Sequence, residues 1–346
     1  MAYTTINKSS DYFNTKLYTG NGSAGHSITG VGFQPDFVWL KPRDFSENHA
    51  LYDSVRGVKE RLMSNSDEKQ ETRSNGLSAF GADGFTVNAD NGENKSSEPM
   101  VAWNWKAGTT SGLSGGTITP SSYSFNTTSG FSIIKYTGTG SNATVPHGLG
   151  KAPKMILFKD TANTATYWGV YHKEIGNEYR LTLNTNAARQ GTSADYWSST
   201  DPSSSLFYIG SNSRANASGA ATIAYCFAEI PGFSKIGKYK GNNNADGPFV
   251  YTGFKPAFVI IKNFDTTLSW ILLDNKRDTH PNPQKLALFP DTAAAETGDY
   301  LIDFNSNGFK IRTATGAVNG NAQDFAYIAF AEAPLVGSNN IPATAR

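Results

Sequence analysis

Cysteine is almost absent from this chain: Cys226 is the only one in 346 residues. A lone thiol closes no intrachain disulfide, so the fold cannot depend on oxidation. A nucleophilic cysteine needs exposure and a nearby base. Cys226 lies between Tyr225 and Phe227 in an apolar run and reads as a packed side chain. An excess of charge is missing too. Thirty Lys and Arg face 29 Asp and Glu, without the basic run that nucleic acid requires, which argues against such a partner. Lys235, Lys238 and Lys240 read as a solvated strand face. No stretch is long and apolar enough to span a bilayer, and Met1–Thr5 starts polar, unlike a secretory leader. The expectation is a soluble protein that stays in the cytoplasm where it is made, or leaves by a route needing no signal.

Helical periodicity is equally scarce. The best candidate, residues 54–75, has too few apolar positions for a buried stripe and is expected to be a strand followed by a solvated loop. Catalytic patterns are missing as well. His26, His49, His147, His172 and His280 form no H-E-x-x-H or Cys/His cluster, so no metal or cofactor is expected. There is no G-x-S-x-G elbow, and Gly20-Asn21-Gly22 lacks the following helix of a phosphate cradle. A glycosidase pair of acids would leave no linear trace.

What the chain does have is a motif written three times. Tyr18, Tyr136 and Tyr239 each open a Tyr-x-Gly, each is followed 17 residues later by a proline (Pro35, Pro153, Pro256), and 6 residues on by a lysine (Lys41, Lys159, Lys262). Between proline and lysine lie mostly apolar runs such as Phe37-Val38-Trp39-Leu40, which read as buried strands. Each unit closes on an aromatic strand: Val101–Trp105, Ile223–Phe227 and Tyr327–Phe330. Abundant Gly, Thr, Ser and aromatics suit short strands joined by tight turns. The expected fold is all-β: three tandem β-sandwich repeats, jelly-roll or lectin-like, of about 100 residues each. The expected boundaries are 1–107, 131–231 and 232–346, with a Gly/Ser/Thr-rich linker over 108–130. Only Ile230-Pro231-Gly232 separates the second and third units, so these are expected to pack rigidly while the first pivots on its tether.

Asp53-x-x-Arg56 and Asp274-x-x-Arg277 stand at equivalent places, 12 residues after the lysine, and read as charge-assisted pairs that fix a turn. The second unit departs there, with Val170-Tyr171-His172. Asp90–Asn94 and Asn242–Gly247 are oxygen-rich, but such residues also serve ordinary turns. For binding, the candidates are Tyr196 and Trp197, in a polar stretch without core periodicity, and more weakly His147 in Pro146-His147-Gly148, which otherwise reads as a turn residue. Exposed aromatic faces stack on sugar rings. Two readings stand for Trp197: a glycan platform, or a cap on its own sandwich. Trp168 and Trp270 fall at similar places in two units and read as core.

Leu17-Tyr18-Thr19-Gly20-Asn21-Gly22, Gly32–Lys41, Asp53-Ser54-Val55-Arg56-Gly57 and Val101–Lys106 resemble a domain of unknown function widespread in tailed bacteriophages, especially marine ones. The tail, Ala331–Gly337 and Asn340–Arg346, resembles the ends of those proteins. The resemblance implies a non-enzymatic virion structural protein, often called fibre-like, assembled in the host cytoplasm, with no catalytic residues to carry over. Its partners would be other capsid or tail proteins; binding of a host or environmental glycan is the hypothesis for its exposed loops. Only Met1–Leu17 precede the first repeat and no heptads occur, so a compact accessory on head or tail is expected ahead of a free fibre. A homo-oligomer, with a trimer matching its mounting site, is the expected state. A polysaccharide depolymerase is the competing enzyme reading.

Overall fold

The computed structural model describes residues 4–191 and 194–334; the tail beyond Pro334 lies outside the described residues. The all-β class holds, with four one-turn α-helices and one 3-10 turn among the described residues. Each unit contributes an opening strand (Phe13–Thr19, Phe131–Thr137, Ser234–Lys240) and a strand ending near the repeated lysine (Phe37–Pro42, Met155–Asp160, Phe254–Asn263). It then adds an outer strand (Ala50–Asp53, Gly169–His172, Ile271–Asp274) and a closing strand (Pro99–Trp105, Ala221–Phe227, Asp324–Pro334). All three sheets run opening–closing–lysine–outer, fully antiparallel. The second sheet is extended at its ends by Ser122–Asn126 and Leu181–Thr182.

A smaller sheet faces each large one: His26–Thr29 with Gly84–Val87 and Leu77–Gly81, Ala143–Pro146 with Leu206–Ile209, and Phe249–Tyr251 with Gly308–Ile311 and Ile302–Asn305. Val38, Leu40 and Ala102 pack against Ile28, Phe85 and Val87 in the first unit. The other two units repeat this arrangement. The opposite faces of the large sheets do not meet water. Phe37, Trp39, Trp103 and Trp105 meet Phe131, Leu157, Tyr225 and Phe227, and both groups meet Phe258, Ile260, Ile328 and Phe330, in one central core. The rings of Phe37 and Tyr225 stack at 4.5 Å, and those of Phe13 and Phe330 at 5.0 Å. This explains why the lysine and closing strands read as unbroken apolar runs: a strand buried on both faces has no polar side to alternate with.

The shared core corrects the expected pivot of the first unit. Residues 108–130 are no free tether either. Ser122–Asn126 is a strand, Thr109 bridges Phe125, Thr117 and Ile118 donate to the Thr144 carbonyl, and Ile118 is buried. At the junction one carboxylate, Asp36, takes the Ala107 amide and the Ser54 and Ser124 hydroxyls. A segment that looks uncommitted by composition is held by backbone bonds that composition does not record.

The long loop after each outer strand reaches onto the next unit. Lys159 donates to Asp67 O, Lys262 to Asn186 O and Lys41 to Ala293 O, so the first loop lies on the second unit, the second on the third and the third on the first. Trp168 Nε1 reaches Met63 O and Trp270 Nε1 reaches Thr182 O; in the first unit His49 Nε2 does the same to Phe289 O. The ring of contacts therefore closes on itself. Within residues 54–75 the expected solvated loop is corrected, since Leu62 and Ser64 are fully buried.

The Tyr-x-Gly motif has a local cause. The hydroxyls of Tyr18, Tyr136 and Tyr239 donate to Glu93 O, Ala215 O and Val318 O. A Cβ on Gly20, Gly138 or Gly241 would collide with the backbone at Asn94–Lys95, Asn216–Ala217 or Asn319–Gly320. Beside each glycine, a buried asparagine ending a one-turn helix (Asn94, Asn216, Asn319) accepts an amide from the following loop.

Candidate functional site

The two Asp-x-x-Arg motifs fold identically. Asp53 Oδ1 accepts the Val55 and Arg56 amides and Oδ2 accepts Arg56 Nε at 2.5 Å; Asp274 does the same with Lys276, Arg277 and Arg277 Nε at 2.6 Å. All four side chains are fully buried. Such burial is tolerated only when the remaining donors and lone pairs are met. Arg56 therefore also donates to Leu51 O and Glu60 O, and Arg277 to Leu272 O and Glu296. Each aspartate has one further partner, in another unit: Tyr225 Oη donates to Asp53 at 2.7 Å and Trp103 Nε1 to Asp274 at 3.0 Å. The pairs fix turns and also join units.

At the third junction the same positions hold His172, Ile175 and Ile328. Where Ile328 offers no donor, no acid faces it. His172 Nε2 donates instead to Tyr327 O at 3.3 Å, and Nδ1 accepts the Glu174 amide. Burial lowers the His172 pKa to about 4, helped by Lys154 and opposed by the bond to Tyr327.

His147 is fully buried and makes a turn: Nδ1 accepts the Leu149 amide and Nε2 donates to Ser203 O. Burial lowers its pKa to about 4. It presents no face to a ligand, which corrects its place among the binding candidates. Tyr196 and Trp197 are corrected likewise, at 2% and 1% exposed. Both lie in a one-turn helix (Ala194–Trp197) that packs on Phe158 and Tyr171, with Trp197 Nε1 donating to Tyr179 O. Of the two readings of Trp197, the cap on its own sandwich is the one observed. A one-turn helix is too short for periodicity to reveal its buried side.

Beside these rings a cleft of about 310 Å³ opens, lined by Tyr167, Arg180, Thr182, Thr185, Gln190 and Arg214. Its frame is rigid. Arg180 and Gln190 exchange backbone bonds at 3.0 and 2.9 Å, and Thr182 belongs to the strand added to the second sheet. Arg214 rides on the helix Ser213–Asn216, capped by the Asn212 side chain. The Arg180 guanidinium lies 4.7 Å over the Tyr196 ring and that of Arg214 4.6 Å over Tyr167, so stacking holds both cations. Burial raises the Tyr196 hydroxyl above its ordinary pKa, and the Arg214 and Arg180 cations oppose that rise. Two polar atoms, Thr185 Oγ1 and Gln190 Oε1, are buried without a hydrogen-bond partner among the described residues. No Asp, Glu or His lines the cleft, and its two charged side chains are the cations Arg180 and Arg214. Sequence reasoning missed these residues. Their one trace is that Arg180 and Arg214 lie in the unit that departs from Asp-x-x-Arg.

A family model described as Domain of unknown function (DUF7483) matches residues 8–334, and the chain belongs to that family. The match runs from the 3-10 turn before the first strand to the last residue of the final one, across all three sheets. No curated protein matches the chain.

Proposed function

We propose that this member of the DUF7483 family is a non-enzymatic structural protein of a bacteriophage particle, a compact accessory on head or tail that also binds a surface glycan. The observation that carries the reading is where the repeated charged residues go. Lys41, Lys159, Lys262, Asp53, Arg56, Asp274 and Arg277 are all buried, and every one serves to fix or join the units. A lysine repeated three times and an acid–arginine pair repeated twice, all spent on internal joints, suit a rigid building block better than a catalyst. The resemblance of Gly32–Lys41 and Val101–Lys106 to phage proteins supplies the setting. Its partners there are capsid or tail proteins, met after assembly in the host cytoplasm.

The test is immunogold electron microscopy of purified particles with antibody against the chain. Gold at many regular positions on the head makes it a decoration protein; gold confined to the tail makes it an appendage or receptor-binding fibre. Particles without gold sink the structural reading.

A further inference from the structure

We infer that the cleft between Arg180 and Arg214 binds one acidic sugar residue, a pyranose carrying a carboxylate or sulfate. This deepens the glycan-binding part of the proposed function and rests on that part alone, not on where the protein sits in a particle. Two guanidinium groups face one cleft, each fixed by an aromatic ring: Arg180 on Tyr196 and Arg214 on Tyr167. Guanidinium is the side chain suited to holding an oxyanion through paired N–H donors. No carboxylate lines the cleft, and among the described residues none forms an ion pair with Arg214. The anion would therefore come from outside.

The ligand also needs hydroxyl groups. Gln190 Oε1 is a buried acceptor without a donor, and Thr185 Oγ1 a buried hydroxyl without a partner. Leaving such groups unmet costs about 1–3 kcal/mol each, and a sugar hydroxyl supplies what they lack. A bare inorganic anion can meet the cation of Arg214 but has no hydroxyl to offer Gln190. The cleft lies at the lower end of the range for small-ligand sites, room for one ring rather than a chain. The first unit has Arg61 at the place of Arg180, but there Glu71 pairs with it and Gly92 stands at the place of Arg214, so the site is not repeated.

The test is isothermal titration calorimetry on the intact chain with glucuronate, glucose 6-sulfate, glucose and inorganic sulfate. The expected result is binding of at least one of the two acidic sugars, weakened about tenfold or more by Arg214→Gln. Which acidic sugar binds tells carboxylate from sulfate. Thr185→Val keeps the shape and removes a hydroxyl with no protein partner, so it is expected to weaken the sugar several-fold with thermal unfolding unchanged or raised. No binding of either acidic sugar, glucose binding as tightly, inorganic sulfate binding as tightly, or affinity indifferent to both substitutions overturns the inference. Sugar binding by a protein absent from particles would leave this site standing and remove only the virion role.

Discussion

Two of the three junctions between units are closed by a buried acid–arginine pair, and the third by a histidine. Asp53 meets Tyr225 and Asp274 meets Trp103, whereas His172 meets the backbone of Tyr327. The difference shows which groups must change together. A buried carboxylate needs both its arginine and its donor from the neighbouring unit. Where the arginine position is Ile175 and the donor position Ile328, the carboxylate is also absent. A neutral imidazole suits that surrounding, because each ring nitrogen has one partner of the right kind.

The largest expected effect breaks the acid junctions. Asp53→Ala or Asp274→Ala strands a buried arginine and is expected to cost about 3–5 kcal/mol in chemical denaturation. His172→Ala strands no charge and should cost clearly less. Equal losses at all three sites would erase the distinction between the junctions.

Next in size is the response to acid. His172 and His147 titrate at about 4 in the folded chain and His49 well below its ordinary value, all through burial first. An exposed imidazole titrates near 6.5, so from about pH 6.5 down to 4 the unfolded chain takes up protons that the folded chain refuses. Stability must fall as pH drops through that window, by up to about 3 kcal/mol for His172 alone. His172→Gln is expected to flatten the pH dependence of the urea midpoint between pH 7 and 4. An unchanged slope would mean that the histidine junction is not the acid-sensitive one.

The smallest effects sharpen the comparison. Tyr225→Phe and Trp103→Phe each remove the donor from a buried aspartate that keeps its arginine, at about 1–3 kcal/mol. Combining Tyr225→Phe with Asp53→Asn should be non-additive, since the two side chains share a hydrogen bond. Strict additivity in that double-mutant cycle would show that the bond between the units carries no stability.

Much of the architecture was legible from local pattern. The all-β class followed from short apolar and aromatic runs between turn residues, and Trp168 and Trp270 were read as core, as they are. The Asp-x-x-Arg pairs were legible as turn-fixing ion pairs because both partners lie three residues apart. Their bonds to Tyr225 and Trp103 were not legible, since those partners are more than 170 residues away. The burial of Tyr196 and Trp197 was not legible, because polar neighbours in sequence do not mean solvent in space. The arginine cleft left almost no trace, because it is assembled from an added strand, a loop and a helix end.

By itself the sequence determined which segments become strands, where tight glycine turns occur and which side chains are too apolar for water. Those choices depend on a residue's near neighbours and on the two-residue period of a strand. Only the tertiary structure decided that the second faces of three large sheets would be buried against one another. An unbroken apolar run says that both faces are covered without saying by what. The same holds for the ring of loops, for the donor that each buried aspartate finds, and for the arginine-lined cleft. Each joins residues far apart in the chain, and the free energy that selects such contacts exists only once the whole core has closed.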